Sequence, residues 1–420
     1  PFRLLHTSDW HLGRRLYGRS RHAEQAAFLD WLAERLDQEG IDLLIVAGDI
    51  FDASTPSHRA QALYYQFLYR AAQTACRHIV IIGGNHDSPA LLDAPKALLA
   101  QLNVHVVGSA SEPVENEVLL LGNNAGAPEA IVCAVPYLRD REVRTSAGGE
   151  SVADKQRLLL DGIGDHYAQV IGEARRRRRR LPTKIPLIAT GHLFAAGGKT
   201  RADDGVRELY VGALVRVEAG LFGADVDYVA LGHLHSPQRV AGQDHLRYSG
   251  APIPVSFAEA GRPRCVLVGE WTDAGRQIRE LAVPSFQSME RISGDLPTIE
   301  ATLEERIDTG RPLWVEVIYS GSEIRSDLGD RLHDLTAGSP VEILRIRNQR
   351  RSAHLRARSE AAEDLGDLQP GDVFARCLEA HAIDDAQRKP LTILFEEVYQ
   401  DLLENGPPRS HLQPAPPIEP

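Results

Sequence analysis

The sequence predicts a layered α/β protein that is followed by a smaller α+β domain and by C-terminal helices. Short runs rich in Val, Ile and Leu recur between residue 3 and about residue 290, and helical patterns separate the first three of them. Such β-α-β spacing is typical of sheets covered by helices. A chain of 420 residues is also too long for one compact core, which predicts more than one domain.

The predicted strands of the first domain are short and continuously apolar rather than alternating. This pattern is expected of strands that are buried on both faces of a sheet. They cover residues 3–7, 42–47, 78–82, 104–107, 117–121, 130–134, 186–190 and 227–231. Further along, residues 240–245 contain a Gly-Gln-Asp turn, and residues 265–270 and 277–283 flank Asp-Ala-Gly. These turn signals predict hairpins and an antiparallel finish to the sheet.

Two helices are predicted between the first three strands. In the first, Leu29, Leu32 and Leu36 fall on one face and Gly40 ends the pattern. The second begins at residues 56–57, where Pro-Ser supplies a helix start. Both helices therefore have an apolar face with which to cover the sheet.

A change of pattern at residues 284–296 predicts a domain boundary. Beyond it, residues 299–307 and 326–335 are predicted helices, and residues 313–319 and 341–347 are predicted strands. The C-terminal helices are amphipathic and either pack on the protein body or bind in a groove of a partner. The expected organisation is a domain at 1–288, a small domain at 289–348, a linker at 349–368, helices at 369–405 and a disordered tail at 406–420.

The composition is that of an ordinary globular protein with a net charge of −11. That charge argues against a protein that coats nucleic acid by itself. Arg14, Arg15, Arg19 and Arg21 lie close together, and they form either a basic rim that attracts phosphate or a solvated loop. The six-arginine run at 175–180 ends a helical pattern and is interpreted as a solvated helix end.

The sequence predicts a protein of the reducing cytoplasm. No apolar stretch is long enough to span a bilayer. The first apolar run follows the N-terminus too closely to leave room for a signal peptide. The cysteines, Cys76, Cys133, Cys265 and Cys377, are far apart in sequence, so we expect small buried thiols rather than disulfides.

Five short motifs of acidic, amide and imidazole side chains stand at or just past the ends of predicted strands. They are His-Thr-Ser-Asp-Trp-His-Leu-Gly at 6–13, Gly-Asp-Ile-Phe-Asp at 48–52, Gly-Gly-Asn-His-Asp at 83–87, Gly-His at 191–192 and Gly-His-Leu-His at 232–235. Parallel strands of one sheet end at the same edge, so we expect the motifs to converge there.

The converged motifs offer oxygen and nitrogen ligands for two metal ions. The candidate ligands are Asp9, His11, Asp49, Asn85, His192, His233 and His235. Asp9 and His11 are two residues apart, so they would point the same way in an extended segment. Oxygen and nitrogen ligands without thiolate suit manganese, iron or zinc better than calcium or magnesium. Two ions about 3.5–4 Å apart can clamp a phosphate and activate water for in-line displacement.

His86 lies between Asn85 and Asp87 and is the candidate for a catalytic role rather than a ligand. Beside a metal centre, its imidazole could stabilise charge on the reacting phosphate or protonate the leaving oxygen. Such a histidine needs an acceptor that orients its ring. Asp52 and Asp87 both remain candidates for this acceptor.

As a set, the motifs resemble those of the calcineurin-like metallophosphoesterase superfamily. That resemblance implies a β-sandwich flanked by helices, with Asp49 bridging the two ions. It assigns Asp9, His11 and His235 to one ion and Asn85, His192 and His233 to the other. It also favours Asp52 as the residue that orients His86.

A narrower set of segments is similar to the family of bacterial SbcD-type nuclease subunits. The segments are residues 6–13, residues 48–52 with Pro56-Ser57, and residues 249–257. The resemblance implies a DNA exonuclease and endonuclease that uses two Mn²⁺, with Mg²⁺, Zn²⁺ or Fe²⁺ as possible substitutes. It further implies a nucleoid-associated enzyme that processes hairpins and blocked double-stranded ends in DNA repair, recombination and replication.

The same resemblance implies partners and a domain arrangement. The enzyme would be a homodimer bound to an SbcC-type, SMC-like ATPase, without a membrane. The small domain would cap the active site, the C-terminal helices would dock on the ATPase coiled coil, and Arg14, Arg15 and Arg19 would face DNA. The alternatives are a small-molecule phosphatase or cyclic-nucleotide phosphodiesterase of the same superfamily, and a non-catalytic assembly module. The second alternative would be expected to lack ligands, and none is missing here.

Overall fold

The computed structural model describes residues 1–144, 151–198, 217–321 and 327–348, together with Leu378 and Phe395. Its strands in chain order are β1 (Phe2–Thr7), β2 (Arg15–Leu16), β3 (Arg19–Ser20), β4 (Leu43–Ala47), β5 (His78–Ile82), β6 (Val104–Val107), β7 (Val118–Gly122), β8 (Pro128–Cys133), β9 (Leu187–His192), β10 (Tyr228–Gly232), β11 (Gln238–Val240), β12 (Gln243–Tyr248), β13 (Cys265–Thr272), β14 (Gly275–Ala282), β15 (Met289–Gly294), β16 (Leu313–Tyr319) and β17 (Val341–Asn348).

The α-helices of the same described ranges are α1 (His22–Gln38), α2 (His58–Ala71), α3 (Pro89–Asp93), α4 (Lys96–Ala100), α5 (Asp140–Val143), α6 (Val152–Arg179), α7 (Leu296–Asp308) and α8 (Leu328–Thr336). Short 3₁₀ turns lie at Val114–Glu117, Ala219–Phe222 and Phe257–Glu259.

Two mixed sheets form the centre of the molecule. The first has the strand order β14-β13-β1-β4-β5-β6, in which β1, β4, β5 and β6 are parallel and β13 runs antiparallel to β1. The second has the order β11-β12-β10-β9-β8-β7, in which β8, β9, β10 and β12 are parallel. Within each sheet, the carboxyl ends of the parallel strands therefore lie at the same edge.

The two sheets face each other across an apolar layer. Leu4, Ile45 and Val80 of the first sheet share a buried cluster with Val132 and Ile188 of the second. The outer face of the first sheet is covered by α1 and α2, and that of the second by α6. Strands covered on both faces need apolar side chains on both, which explains their continuous apolar sequences. The predicted layered β-sandwich flanked by helices is confirmed.

The first two predicted helices form as expected. Leu32 and Leu36 of α1 are fully buried. In α2, the Ser57 side chain caps the N-terminus by accepting a hydrogen bond from the Ala60 N–H at 3.2 Å. Such caps satisfy one of the free N–H groups at a helix start. The pattern of apolar faces and cap residues was thus enough to place both helices.

The expected antiparallel finish is confirmed for β13 and β14 in the first sheet, but the placing of both hairpins in one sheet is wrong. The two predicted hairpins form, but β13–β14 completes the first sheet and β11–β12 completes the second. Moreover, β12 runs parallel to β10. Which sheet a strand joins depends on pairing with residues far away in sequence, and turn signals do not contain that information.

The small domain has the strand order β15-β16-β17, with α7 and α8 packed on the sheet. Its helices and its last two strands lie where they were predicted. The strand β15 was missed because it falls in the stretch interpreted as a boundary. Ile299, Leu303 and Leu332 are fully buried in the core of this domain.

Contacts in the chain divide it into a unit at 1–347 and a unit at 348–420. In the second unit, Asn348, Leu378 and Phe395 are described, the last two in helical conformation. The predicted linker at 349–368 and tail at 406–420 lie outside the described residues, as do the C-terminal helices at 369–405 apart from those two positions. Among the helices that are described, none combines the length and apolar character needed to cross a membrane.

Candidate metal centre

The candidate ligands meet where the carboxyl edges of both sheets come together. Asp9 and His11 follow β1, Asp49 follows β4 and Asn85 follows β5 in the first sheet. His192 ends β9, and His233 and His235 follow β10 in the second sheet. The motifs therefore converge across two sheets, rather than along the edge of one sheet as the sequence argument assumed.

The loops after β1 and β4 continue the pairing of their strands. The main-chain N–H of Asp9 donates to the Gly48 carbonyl at 3.0 Å, and that of His11 donates to the Asp49 carbonyl at 3.0 Å. These bonds fix the first two motifs side by side. The Tyr137 N–H donates to the Gly83 carbonyl at 2.8 Å and ties the third motif to the segment after β8.

The Asp49 carboxylate lies at the centre of the cluster. Its Oδ2 atom is 3.4 Å from His192 Nε2, 3.7 Å from His11 Nε2 and 4.0 Å from His86 Nε2. Its Oδ1 atom accepts a hydrogen bond from the His86 main-chain N–H at 2.9 Å. Burial alone would raise the pKa of Asp49, but the neighbouring His192, His11 and His86 outweigh it and hold the pKa well below its usual range. The group is therefore an anion.

Three imidazoles turn Nε2 toward the cluster and Nδ1 toward an acceptor. His192 Nδ1 lies 2.9 Å from the Ala47 carbonyl. His11 Nδ1 lies 3.4 Å from Asp52 Oδ1, and His235 Nδ1 lies 3.4 Å from Glu259 Oε1. This orientation presents Nε2 of each ring to the cluster, where a bound metal ion would take the place of a proton on that nitrogen.

Asn85 provides a neutral oxygen between two of the histidines. Its Oδ1 atom lies 2.9 Å from His192 Nε2 and 3.2 Å from His233 Nδ1. Burial lowers the pKa of His233 to about 3, so this imidazole is neutral. A neutral imidazole and an amide oxygen complement the carboxylates as ligands.

The donor set fits divalent cations. Ligand atoms of Asp9, His11 and His235 all lie within 4.8 Å of one another, and so do those of Asp9, Asp49 and His192. The Nε2 atoms of His11 and His235 face each other at 3.3 Å, an arrangement that a shared cation stabilises. Burial would lower the pKa of His192, but Asp49 and Asp9 raise it to about 9. The potential at this point therefore attracts positive charge.

Several of these residues have a left-handed backbone conformation. The φ angles are 56° at Asp9, 46° at His11, 51° at Asp49 and 100° at His233. Non-glycine residues adopt such angles at a cost of about 1–3 kcal/mol each, and they cluster at functional sites. The expected extended segment, in which residues two apart point the same way, is therefore not what brings Asp9 and His11 together.

Glycines next to the ligands allow the close approach. A Cβ atom at Gly84 would collide with the carboxylate and main-chain nitrogen of Asp49, and one at Gly48 would collide with the His192 ring. A Cβ atom at Gly232 would collide with the Ala47 carbonyl. The glycine in these three motifs thus provides space rather than only flexibility.

The His86 ring contacts the main-chain carbonyl of Asp52. His86 Nδ1 lies 2.8 Å from the Asp52 carbonyl oxygen, which directs Nε2 toward the cluster. The Asp52 carboxylate instead pairs with Arg14 Nη1 at 2.8 Å and faces His11. Burial would raise the pKa of Asp52, but His11 and Arg14 lower it to about 2. Asp87, the other candidate acceptor, binds the main-chain N–H groups of the loop after β4.

The arginines near the first motif have specific partners. Arg14 donates to Asp52 and to the Val255 carbonyl, Arg15 donates to the Gly18 carbonyl within the β2–β3 hairpin, and Arg19 pairs with Glu342 of the small domain. Arg21 is buried and pairs with Glu24. Arg15 and Arg19 are the exposed members of this set.

The arginine run at 175–180 is more than a solvated helix end. Arg175 pairs with Asp225, and Arg178 pairs with Asp227 at 2.9 Å. Arg177 donates to the main-chain carbonyls of Glu115 and Val118. The run therefore anchors the C-terminal end of α6 to neighbouring loops.

Sequence reasoning missed the outer partners of the ligands. Glu259, a buried residue in a 3₁₀ turn, faces His235, and the Ala47 carbonyl faces His192. A main-chain carbonyl has no sequence signature. The one available signal for Glu259 was an acidic residue two positions after the apolar segment at 249–257.

A two-sheet sandwich with this ligand cluster at its edge defines a metallophosphoesterase. Residues 2–237 match the calcineurin-like phosphoesterase family, and residues 285–382 match a family described as the type 5 capsule protein repressor C-terminal domain. The SbcD subunit of the SbcCD nuclease of Escherichia coli K12 is 38% identical over 396 residues, which cover 94% of this chain and 96% of that protein.

The corresponding SbcCD nuclease subunits of two other bacteria are also similar. The subunit of Rhodobacter capsulatus is 35% identical to this chain, and the alignment covers 74% of this chain and 77% of that protein. The subunit of Bacillus subtilis is 38% identical to this chain, and the alignment covers 63% of this chain and 65% of that protein. The chain belongs to the family of SbcD nuclease subunits. It is a metal-dependent nuclease, a hydrolase that acts on phosphodiester bonds, and its acidic and histidine cluster is a divalent metal site.

The close approach at Gly84 gives a testable prediction. Gly84→Ala should displace Asp49 and weaken Mn²⁺ binding by at least about tenfold, since a change of this kind beside a ligand is comparable to loss of an outer partner. Isothermal titration calorimetry measures the effect. Gly329→Ala in α8 is the matched control, because a Cβ atom there meets nothing within 4 Å. Equal Mn²⁺ binding by both variants would contradict the prediction.

Proposed function

We propose that this nuclease cleaves double-stranded DNA ends and hairpins with two Mn²⁺ ions, for which Mg²⁺, Zn²⁺ or Fe²⁺ can substitute. The central observation is the Asp49 carboxylate, whose Oδ2 atom lies within 4.0 Å of the Nε2 atoms of three imidazoles. One ion would be held by Asp9, His11, Asp49 and His235, and the other by Asp49, Asn85, His192 and His233. When bound, the ions polarise an attacking water and neutralise charge on the phosphate oxygens.

His86 and Asp52 are the proposed catalytic residues. The Asp52 carbonyl accepts a hydrogen bond from His86 Nδ1 and so directs Nε2 toward the cluster. In its doubly protonated imidazolium form, His86 would also donate from Nε2 to the reacting phosphate or to the leaving oxygen. The Asp52 carboxylate contributes separately by facing His11 Nδ1 at 3.4 Å. One residue thus orients both the catalytic imidazole and a ligand imidazole.

We further propose that the small domain at 289–348 caps the metal centre and recognises DNA. It contacts the β2–β3 hairpin through the Arg19–Glu342 ion pair and through Arg345, which donates to the Tyr17 hydroxyl at 2.6 Å. DNA would pass along this seam, with Arg15 and Arg19 binding phosphates and Arg14 acting mainly through Asp52. Phosphate contacts of this kind supply affinity without sequence preference.

The relatives are named as subunits of SbcCD, which supports a complex with an SbcC-type, SMC-like ATPase. The helices at 369–405 are the proposed docking segment and 349–368 the linker, with a tail at 406–420. In this arrangement the partner supplies part of the DNA grip that a chain of net charge −11 lacks. The complex would act in the cytoplasm, at the nucleoid, in DNA repair, recombination and replication.

A comparison of substrates tests the proposed function. With Mn²⁺ the chain should cleave a DNA hairpin and a duplex end at rates far above its hydrolysis of bis-p-nitrophenyl phosphate. The cap contacts give the reason, because a small substrate does not need them. Efficient hydrolysis of the small ester with no cleavage of DNA would instead favour the alternative, a small-molecule phosphatase or cyclic-nucleotide phosphodiesterase.

The roles of His86 and Asp49 are separable by mutation. His86→Gln should retain both Mn²⁺ ions and lower the nuclease rate by about 10²–10⁴-fold, the usual contribution of a general acid or base. Asp49→Asn should lose affinity for both ions, since its carboxylate faces both groups of ligands. Elemental analysis and single-turnover cleavage measure the two effects. A His86→Gln variant with the wild-type rate would remove this residue from the mechanism.

We also propose a homodimer formed through the outer face of α1 and α2. Tyr69 is 63% exposed there, beside a cavity of about 230 Å³ that Leu29, Leu63 and Phe67 help to line. Light scattering should show a dimer for the full chain and a monomer for Tyr69→Lys. Leu98→Lys on α4, where Leu98 is 71% exposed, is the matched control and should remain dimeric. A strictly monomeric wild-type chain would contradict the proposal.

A further inference from the structure

Glu259 is a buried carboxylate that contacts a metal ligand without belonging to the ligand set. Its Oε2 atom accepts hydrogen bonds from Arg264 Nη2 at 2.6 Å and from the Val255 main-chain N–H at 3.0 Å. Its Oε1 atom faces His235 Nδ1 at 3.4 Å. Both carboxylate oxygens are therefore engaged, one by the surrounding loop and the other by the imidazole.

We propose that Glu259 is a positioning residue that fixes the orientation and the tautomer of His235. This inference rests on the proposed metal centre. Glu259 accepts a hydrogen bond from the Nδ1–H group of His235. This leaves Nε2 of His235 unprotonated and directed toward His11 Nε2, 3.3 Å away. Carboxylates that hold a ligand histidine in this way raise its basicity as well as its order.

The turn that contains Glu259 also contacts the small domain. Phe257 belongs to a buried cluster with Leu16 and Met289, and Met289 is the first residue of β15. The Phe257 ring stacks on Tyr17 with ring centroids 5.9 Å apart. Seating of the small domain against Phe257 therefore holds the turn, and with it the carboxylate behind His235. The inferred consequence is that metal affinity at His235 depends on contact with the small domain.

Glu259→Gln is a diagnostic substitution because an amide has one acceptor atom. Arg264 and the Val255 N–H both donate to the inner side, so the amide oxygen is drawn there and its NH₂ group faces His235. His235 must then accept at Nδ1 and carry its proton on Nε2, where the metal would bind. The variant keeps the volume of the side chain and its contacts with the loop while reversing the tautomer of the ligand.

The matched control is Glu117→Gln. Glu117 is also fully buried, faces a histidine (His166 Nε2 at 2.9 Å) and accepts a main-chain hydrogen bond from Ser111. It is not part of the ligand cluster. Any general cost of removing a buried charge from a glutamate–histidine pair should appear equally in both variants.

Isothermal titration with Mn²⁺, together with elemental analysis and melting of the metal-free chain, tests the proposal. Glu117→Gln should bind two Mn²⁺ ions, each with the same affinity as the wild-type chain. Glu259→Gln should bind one as before and the other at least about tenfold more weakly, with a metal-free melting temperature close to that of Glu117→Gln. Phe257→Ala, which keeps the carboxylate, should weaken the same ion by a smaller factor.

Unchanged binding of both ions by Glu259→Gln would overturn the role of Glu259, and unchanged binding by Phe257→Ala would overturn the dependence on the small domain. If Glu259→Gln does not fold, Glu259→Asp tests the same role, because it keeps the charge for Arg264 but withdraws it from His235. A wild-type chain that binds no Mn²⁺ would overturn the proposed metal centre itself, which distinguishes that failure from the failure of the inference.

Discussion

The structure depends on keeping a carboxylate ionised at a buried position between two sheets. Asp49 is almost fully buried, and an ion in such a place is costly unless charges and hydrogen bonds compensate for it. Compensation comes from the imidazoles around Oδ2 and from the His86 main-chain N–H on Oδ1. The glycines and left-handed residues of the motifs are the means by which the backbone brings these groups close enough. The strained backbone is thus what allows the buried charge to be compensated.

Packing of the two sheets against each other brings the residues of the site together. His192 ends a strand of the second sheet, yet its Nδ1 atom is held by the carbonyl of Ala47, the last residue of β4 in the first sheet. The Asp9 carboxylate similarly accepts the main-chain N–H of His233 across the seam at 3.0 Å. The apolar layer between the sheets fixes their separation, and that separation sets both distances.

The sequence was sufficient to propose the candidate ligands and to place them at strand ends, because both are local features. It was insufficient for three kinds of information. The membership of β9 and β10 in a second sheet depends on long-range pairing. The left-handed angles at Asp9 and His11 are stabilised by main-chain bonds to the neighbouring loop, which residue types do not reveal. The acceptor of His86 is a carbonyl, so a search for a carboxylate partner could only name Asp52 or Asp87 as candidates.

The histidines of the two proposed groups of ligands contact different kinds of outer partner. His192 is anchored by Ala47, within the core of the sandwich. His11 and His235 are backed by Asp52 and Glu259, and these carboxylates are held by Arg14 and Arg264 in loops next to the small domain. Arg14 itself reaches the Val255 carbonyl, so the two supports share one loop. Movement of the small domain would therefore disturb His11 and His235, whereas His192 lies in a strand of the second sheet.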